Sequence, residues 1–299
     1  MLPARFVRRG RFALIPLLGV ALGCHRHPKT DSLVSAHPKV SWPGIKYEEA
    51  LQPKLTDHPR LWIYVPDDKR RTHPCVFIAA AGSPMYTGMS LSEGDRDEHL
   101  PYVKAGYTVV AYDVSGPRTA ENDVAAATKA MKLFAKREVG IDNGKAAIDY
   151  ALHHLKIDPL RLYAVGHSSA ATLALQLSAV DSRIRGCVAY APVTDIKGFL
   201  SDEVVNEIHE NAPETYRALF KFSPVALVDS LHCPTMLFTA ADDDTVPTDT
   251  VQHFARALSA VNTDVELDKA TSGGHYDSMI SKGIPDGIAW LGRARKLRK

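Results

Sequence analysis

A net excess of charge of either sign is nearly absent from this sequence. Lys and Arg number 36 against 34 Asp and Glu, a formal charge of +2. Much of the excess base lies at the two ends, in Arg5, Arg8, Arg9 and Arg11 and again in Arg293, Arg295, Lys296, Arg298 and Lys299. Such a balance offers no extended basic surface, so no nucleic-acid partner is expected. Cysteine is also sparse. Beyond Cys24 there are Cys75, Cys187 and Cys233, each in or beside an apolar stretch. An odd number without ligand spacing argues for buried, inert thiols and no metal; one disulfide plus a free thiol is the alternative. The apolar stretch Phe12 to Leu22 falls short of the roughly 20 residues a membrane helix needs. What is present, 299 residues of which 45% are hydrophobic and 23% charged, suffices for one large or two small globular domains.

The first residues read as a targeting segment. Arg5, Arg8, Arg9 and Arg11 precede the apolar stretch, which ends in Ala21-Leu22-Gly23-Cys24. A basic start, a short apolar middle and small residues at its end are the marks of an export signal. The last four residues resemble a bacterial lipobox, which implies a signal over 1–23, lipidation of Cys24, and a protein held at the cell envelope through an N-terminal lipid anchor. An ordinary cleaved signal with a chance cysteine is the alternative, and it too takes the chain out of the cytoplasm. His25 to Asp57 is polar, rich in Pro, His, Ser and Lys, and shows no helical or strand period, so 24–57 is expected to be a flexible tether. The His25-Arg26-His27 cluster in it is read as solvated. A globular domain is expected over 58–299.

The stretch from Arg161 to Ala174, RLYAVGHSSAATLA, organises that domain. Leu160, Leu162, Tyr163, Ala164 and Val165 form a near-continuous apolar run, as in a strand buried on both faces. Ala170, Leu173, Ala174 and Leu177 then recur at helical spacing. Between them stands Gly166-His167-Ser168-Ser169-Ala170. A sharp strand-to-helix turn needs small residues two before and two after its serine, and the helix behind it points N–H groups at the site. This resembles the nucleophile elbow of the α/β-hydrolase superfamily, with Ala170 in the last position. A Ser-rich helix N-cap in an ordinary Rossmann-like domain is the plainer alternative.

The rest of the chain extends the resemblance. Strands are expected at Arg60–Val65, Cys75–Ala80, Thr108–Tyr112, Ile184–Tyr190 and Pro234–Ala240, with a last one near Asp264–Leu267. Helices are expected at about 121–139 and Asn143–Leu155, the latter carrying His153 and His154 as non-catalytic residues. Asp113 is read as a loop brace. The resemblance implies an α/β-hydrolase fold: a mostly parallel central sheet, helices on both faces, and a short helical cap inserted at Ile196 to Phe222. It also implies that the backbone N–H groups of Ser83, which follows Ala81-Gly82, and of Ser169 form the oxyanion hole. Tyr86 to Glu98 is either a substrate entrance or a surface loop.

The acid and base follow by order. The strand ending at Ala240 runs into Asp242-Asp243-Asp244-Thr245-Val246-Pro247. In the superfamily the acid often stands in a D-x-x-V-P context, which selects Asp243, with Asp242 and Asp244 as alternatives. Ser272-Gly273-Gly274-His275-Tyr276 places a histidine on a flexible loop, and the order Ser168, Asp243, His275 is the superfamily's own. The resemblance then implies a serine hydrolase acting through an acyl-enzyme without a cofactor, with His275 as general base and Asp243 orienting it. The segments DPLRLYAVGHSSA, AYAPVTD, FSPVALVDSLHCPTMLFTAADDDTVP and GGHY look most like the prolyl oligopeptidase and dienelactone hydrolase group. The chain leaves no room for the propeller of the former, which favours an ester of small or medium acyl length over a short peptide as substrate. Two readings stay open beside it: a small peptidase, and a binding module that kept the fold without the chemistry, for which Ala81 and Ala170 at two motif positions speak.

Overall fold

The computed structural model describes residues 41–118 and 123–294. The export signal, Cys24, the first part of the tether and the basic tail from Arg295 lie outside them. Eight strands form one sheet: β1 (Ile45–Leu51), β2 (Arg60–Pro66), β3 (His73–Ala79), β4 (Thr108–Tyr112), β5 (Ile157–His167), β6 (Ile184–Tyr190), β7 (Thr235–Ala240) and β8 (Val265–Ala270). Their order across the sheet is β1-β2-β4-β3-β5-β6-β7-β8. The β1–β2 and β2–β4 pairs are antiparallel and all others parallel.

Parallel strands joined by crossovers must be covered on both faces, and the inner ones are accordingly rich in apolar residues. β3, β4 and β7 are buried at every position. Alternate residues of each strand enter different cores, as a two-residue period requires. Leu61, Ile63, Phe77, Val110 and Leu162 face one core; Trp62, Tyr64, Val76, Val109 and Tyr163 face the other.

Nine α-helices lie among the described residues: α1 (Arg96–Lys104), α2 (Val124–Lys136), α3 (Ile141–His154), α4 (Ser169–Val180), α5 (Ile196–Phe199), α6 (Asp202–Asn211), α7 (Pro213–Lys221), α8 (Thr248–Ser259) and α9 (Ile284–Ala294). Tyr102 and Val103 of α1 and Ile284, Trp290 and Leu291 of α9 cover one face; buried residues of α2, α3, α4 and α8 cover the other. α2 stops at Lys136, short of the expected Val139, because Glu138 and Val139 turn to φ 48° and 54°. α4 is buried from Ser169 through Ser178, and its many alanines let its axis lie close to the sheet.

The inserted segment folds as α5, α6 and α7 and is seated on the domain by specific bonds. Thr215 Oγ1 donates to the Met131 carbonyl at 3.0 Å, and Gln176 Nε2 to that of Phe222 at 2.8 Å. Its own Ile208 (α6) and Leu219 (α7) are buried in the core it shares with the domain.

One expectation is corrected. The tether expected through Asp57 gives way to a strand, β1, at Ile45–Leu51, paired along its length with β2. β1 is an edge strand, bonded on one side and mostly exposed, so its polar composition hid the alternation. Its Tyr47 joins Trp42, Trp62 and Tyr64 around the guanidinium of the buried Arg96, with Cζ 4.1–5.9 Å from the four ring centroids. Among the described residues Cys75, Cys187 and Cys233 form no disulfide; the first two are buried and Cys233 is partly exposed.

Asp113 braces the loops beside the sheet. It accepts from the Arg60 backbone N–H at 3.0 Å, from Arg60 Nε at 2.9 Å and Nη2 at 3.1 Å, and from the Leu91 N–H at 2.6 Å. Replacing it leaves these donors without an acceptor. Asp113→Ala is expected to lower the unfolding free energy by about 1–3 kcal/mol, read as a lower denaturant midpoint at unchanged slope.

Candidate active site

At the carboxyl end of β5 the chain turns within one residue. Ser168 has φ 56° and ψ −122°, a conformation that a side chain other than glycine's adopts only when its surroundings impose it. Three contacts do so. The Ser168 N–H donates to the Tyr190 carbonyl at 2.9 Å, the Ser168 carbonyl accepts from Thr172 N–H at 3.1 Å, and Gly166 lies against the first turn of α4. A Cβ on Gly166 would stand 2.4 Å from both the carbonyl carbon and oxygen of Ala170. Ala170 itself sits in the core, so a methyl is accommodated at the motif's last position. The serine is nine-tenths buried.

Two loops from the same sheet edge carry the remaining candidates. Each residue of the Asp run does something different. Asp243, its side chain wholly buried, accepts from His275 Nδ1 at 2.9 Å (Oδ2) and 3.1 Å (Oδ1), and its Oδ1 also accepts from the N–H groups of Thr245 and Val246, each at 2.9 Å. Asp242 accepts from the N–H groups of Gly273 at 3.0 Å and Gly274 at 2.9 Å, bracing the turn that precedes the histidine. Asp244 is exposed and bonds only locally, accepting from Thr245 Oγ1 at 3.2 Å. Gly273 has φ 113°, and a Cβ there would meet Ser278 N at 2.9 Å, so the turn requires glycine.

The electrostatics follow from these partners. Burial alone would raise the Asp243 carboxyl, but the bonds from His275, Val246 and Thr245 outweigh it and hold it below the usual range. The two glycine N–H groups lower Asp242 likewise. A carboxylate only accepts, so Nδ1 of His275 carries the hydrogen and Nε2 presents a lone pair. That Nε2 is buried and has no hydrogen-bond partner.

The imidazole is brought to the elbow through the residue before the serine. His167 Nε2 lies 2.9 Å from the His275 carbonyl oxygen, the two rings have centroids 4.5 Å apart, and His167 Nδ1 is 3.6 Å from Glu98 Oε1. The sequence reading missed Glu98 and the bracing role of Asp242. Nothing local links residue 98 to 167, whereas the glycine pair after a strand was a readable signal for an acceptor nearby.

Ser83 and Ser169 are also brought together. The Ser83 N–H donates to Ser169 Oγ at 3.0 Å, while Ser83 Oγ accepts from Met85 N–H at 3.1 Å and donates to the Thr87 carbonyl at 2.5 Å. The Ser83 N–H is thus held by a hydroxyl, and the Ser169 N–H stands in the first turn of α4. Beside them opens an apolar recess walled by Val114, Phe134, Val139 and Leu173 of the domain and by Ile196 and Leu219 of the inserted helices. It is small: the centre of a water-sized sphere has about 20 Å³ in which to move.

An eight-stranded, mostly parallel sheet with a strained serine elbow and an Asp–His pair at its carboxyl edge defines an α/β-hydrolase of the serine-hydrolase class. The chain belongs to the prolyl oligopeptidase family, whose profile matches residues 95–293. No curated protein matches it in sequence. Among solved structures it is similar to a Klebsiella pneumoniae protein assigned as a dienelactone hydrolase, at 19% identity and TM-score 0.63, over 83% of this chain and 99% of that one. It is also similar to a puromycin-hydrolysing peptidase of Mycobacterium tuberculosis, at 18% identity and TM-score 0.66, over 84% of this chain but only 40% of that one. A Pyrococcus furiosus esterase shares 16% identity at TM-score 0.56, over 87% and 97% of the two chains.

The Asp243 bonds make a pH-dependent prediction. A carboxyl lowered in the folded state contributes stability that is complete above its unfolded pKa of about 3.9 and fades as the pH falls through the lower folded value. Asp243→Asn resembles the protonated acid. It is expected to unfold about 1–3 kcal/mol more easily near neutral pH, with the gap to wild type closing on acidification; a gap that persists at low pH contradicts this account.

Proposed function

We propose that the protein hydrolyses esters of short acyl groups through Ser168, His275 and Asp243. The observation that carries this reading is the buried Asp243–His275 pair with its unpartnered Nε2, set beside the serine elbow. Ser168 Oγ attacks the ester carbonyl and passes its proton to Nε2. Asp243 keeps the ring in the tautomer that can receive it and stabilises the imidazolium. The oxyanion is received by the Ser169 N–H, in the first turn of α4, and by the Ser83 N–H once substrate displaces the hydroxyl of Ser169 from it. Loss of one such donor costs on the order of 3 kcal/mol of barrier. His275 returns the proton to the departing alcohol, and water, activated by the same imidazole, clears the acyl-enzyme. The recess beside Ser83 and Ser169 is apolar and holds little more than one water-sized sphere, which supports a short acyl chain.

Cleavage of short peptides is the second reading. Membership of the prolyl oligopeptidase family and the fold shared with peptidases support it, though the chain spans only about two-fifths of the length of the M. tuberculosis enzyme.

A fluorophosphonate probe is expected to label wild type and to fail on Ser168→Ala and His275→Ala. p-Nitrophenyl acetate is expected to turn over at least about tenfold faster than the octanoate, since even one methylene without room costs about that much and the octanoyl chain has about six more. Folded wild type that takes no label sinks the hydrolase reading; a labelled enzyme that cleaves peptide anilides and no esters transfers the assignment to the second one.

We infer as well that the chain is exported and anchored through Cys24. Support comes from the basic start, the apolar Phe12–Leu22 and the Ala21-Leu22-Gly23-Cys24 ending. Labelled palmitate fed to bacteria expressing the full chain is expected to appear on wild type and not on Cys24→Ala; palmitate absent from both refutes the anchor.

A further inference from the structure

We propose that His167 is a positioning residue for the base, and that Glu98 holds His167 in place. The inference rests on the reading of His275 as general base and adds a second anchor to it.

The loop carrying His275 needs one. Thr271, Ser272, Gly273, Tyr276 and Asp277 are exposed, and two successive glycines precede the histidine with φ 113° and 59°. A bond at Nδ1 fixes one edge of the imidazole, yet leaves the ring free to swing if the backbone beneath it shifts. Asp242 holds that backbone ahead of the histidine, through the N–H groups of Gly273 and Gly274. His167 holds it at the histidine itself. The acceptor is the His275 main-chain carbonyl, 2.9 Å from His167 Nε2; a carbonyl only accepts, so Nε2 carries a hydrogen, whatever Nδ1 carries toward Glu98. Because His167 is bonded directly to Ser168, this contact ties the base's backbone to the nucleophile's own, with no other element between them.

His167 is itself confined. It is 3% exposed and lies between the His275 ring and the Tyr276 ring, whose centroids are 4.5 Å and 5.8 Å away. On its far side Nδ1 is within ion-pair distance of Glu98 Oε1, 3.6 Å off, and Glu98 is 6% exposed on α1. A carboxylate buried to this degree is costly unless a partner faces it. Other titratable groups around the pair are Tyr102 of the same helix, bonded to Tyr190 of β6, and Asp95, Asp97 and Asp277; burial first, and then these carboxylates with Glu98, oppose ionisation of Tyr276. They add negative charge or neutral hydroxyls, so the imidazole is the group positioned to answer Glu98. Partners one shell out from reacting groups commonly change rates by about 10- to 100-fold when removed, since a small misplacement of the reacting atoms suffices.

The test uses the full-length protein, p-nitrophenyl acetate as substrate and a fluorophosphonate as a second probe. His167→Phe keeps a ring against His275 and Tyr276 but removes the donor. It is expected to leave KM within about twofold and to lower kcat by about 10- to 100-fold, with slower labelling and faster amide exchange at residues 272–277. His167→Gln, whose amide N–H reaches the same carbonyl, is expected to restore most of kcat and the slow exchange. Glu98→Gln is expected to fall between them. If His167→Phe does not fold, the two near-isosteric variants carry the test: Glu98→Gln must be slower than His167→Gln. Wild-type kcat in His167→Phe, or equal impairment in His167→Phe and His167→Gln, overturns the proposal; wild-type kcat in Glu98→Gln removes the carboxylate from it. Wild type that neither labels nor hydrolyses overturns the hydrolase reading and this inference with it, whereas an active wild type with unaffected variants overturns the inference alone.

Discussion

At Gly166 the main chain of β5 passes so near the first turn of α4 that a single methyl would lie 2.4 Å from the Ala170 carbonyl. Much else hangs on that approach. It bends the chain from strand to helix in one residue and leaves Ser168 at φ 56°. It brings the first turn of α4, with its free N–H groups, to the edge of the sheet where the serine stands. It carries Ser169 to within hydrogen-bond distance of Ser83 on a different strand's loop. The turn persists because α4 is buried along ten consecutive residues against the sheet, so relaxing Ser168 would mean withdrawing a whole helix from the core. A local strain of one to a few kcal/mol is small beside that burial.

The Asp run shows how adjacent residues of one type take different roles once a chain is folded. Asp242 faces the backbone of the glycine turn, Asp243 faces the imidazole, and Asp244 faces solvent. Chain direction sets this division: the loop after β7 passes beside the loop after β8, and neighbouring side chains point to different sides of it. The outcome is an imidazole and its backbone held at three places, by carboxylate on the ring, by carboxylate on the preceding N–H groups and by His167 on its carbonyl. Rigid support of that kind lets a group reached by a flexible glycine loop hold a defined direction.

The fold was legible where burial is two-sided. Largely apolar runs such as Thr108–Tyr112 and Ile184–Tyr190 coincide with their strands to the residue, because a short strand covered on both faces requires such a run at that length. The inserted helices were legible from their acidic, helical composition between two strands. β1 was not. Its side chains are polar because one face and one edge meet water, and it is a strand only because β2 supplies hydrogen-bond partners along its whole length. Among site residues, Ser168, His275 and the Asp run stood out because each belongs to a short motif read on contiguous residues. Glu98 did not, since its relevance lies in a contact across 69 residues of chain.

The sequence by itself determined which residues lie on the inner strands of the sheet and on the helices that cover them, where the serine elbow falls, and the order in which Ser168, the Asp run and His275 follow one another. These are properties of local pattern: apolar period, small residues at fixed offsets, glycines at a turn. Only the tertiary structure decided which aspartate meets the histidine, that the Ser83 N–H is engaged by the hydroxyl of Ser169, and that a buried glutamate on α1 faces the residue before Ser168. Each of these depends on distances between loops that different strands deliver to one sheet edge. Those distances are set by sheet order and helix packing, which no contiguous stretch of residues contains.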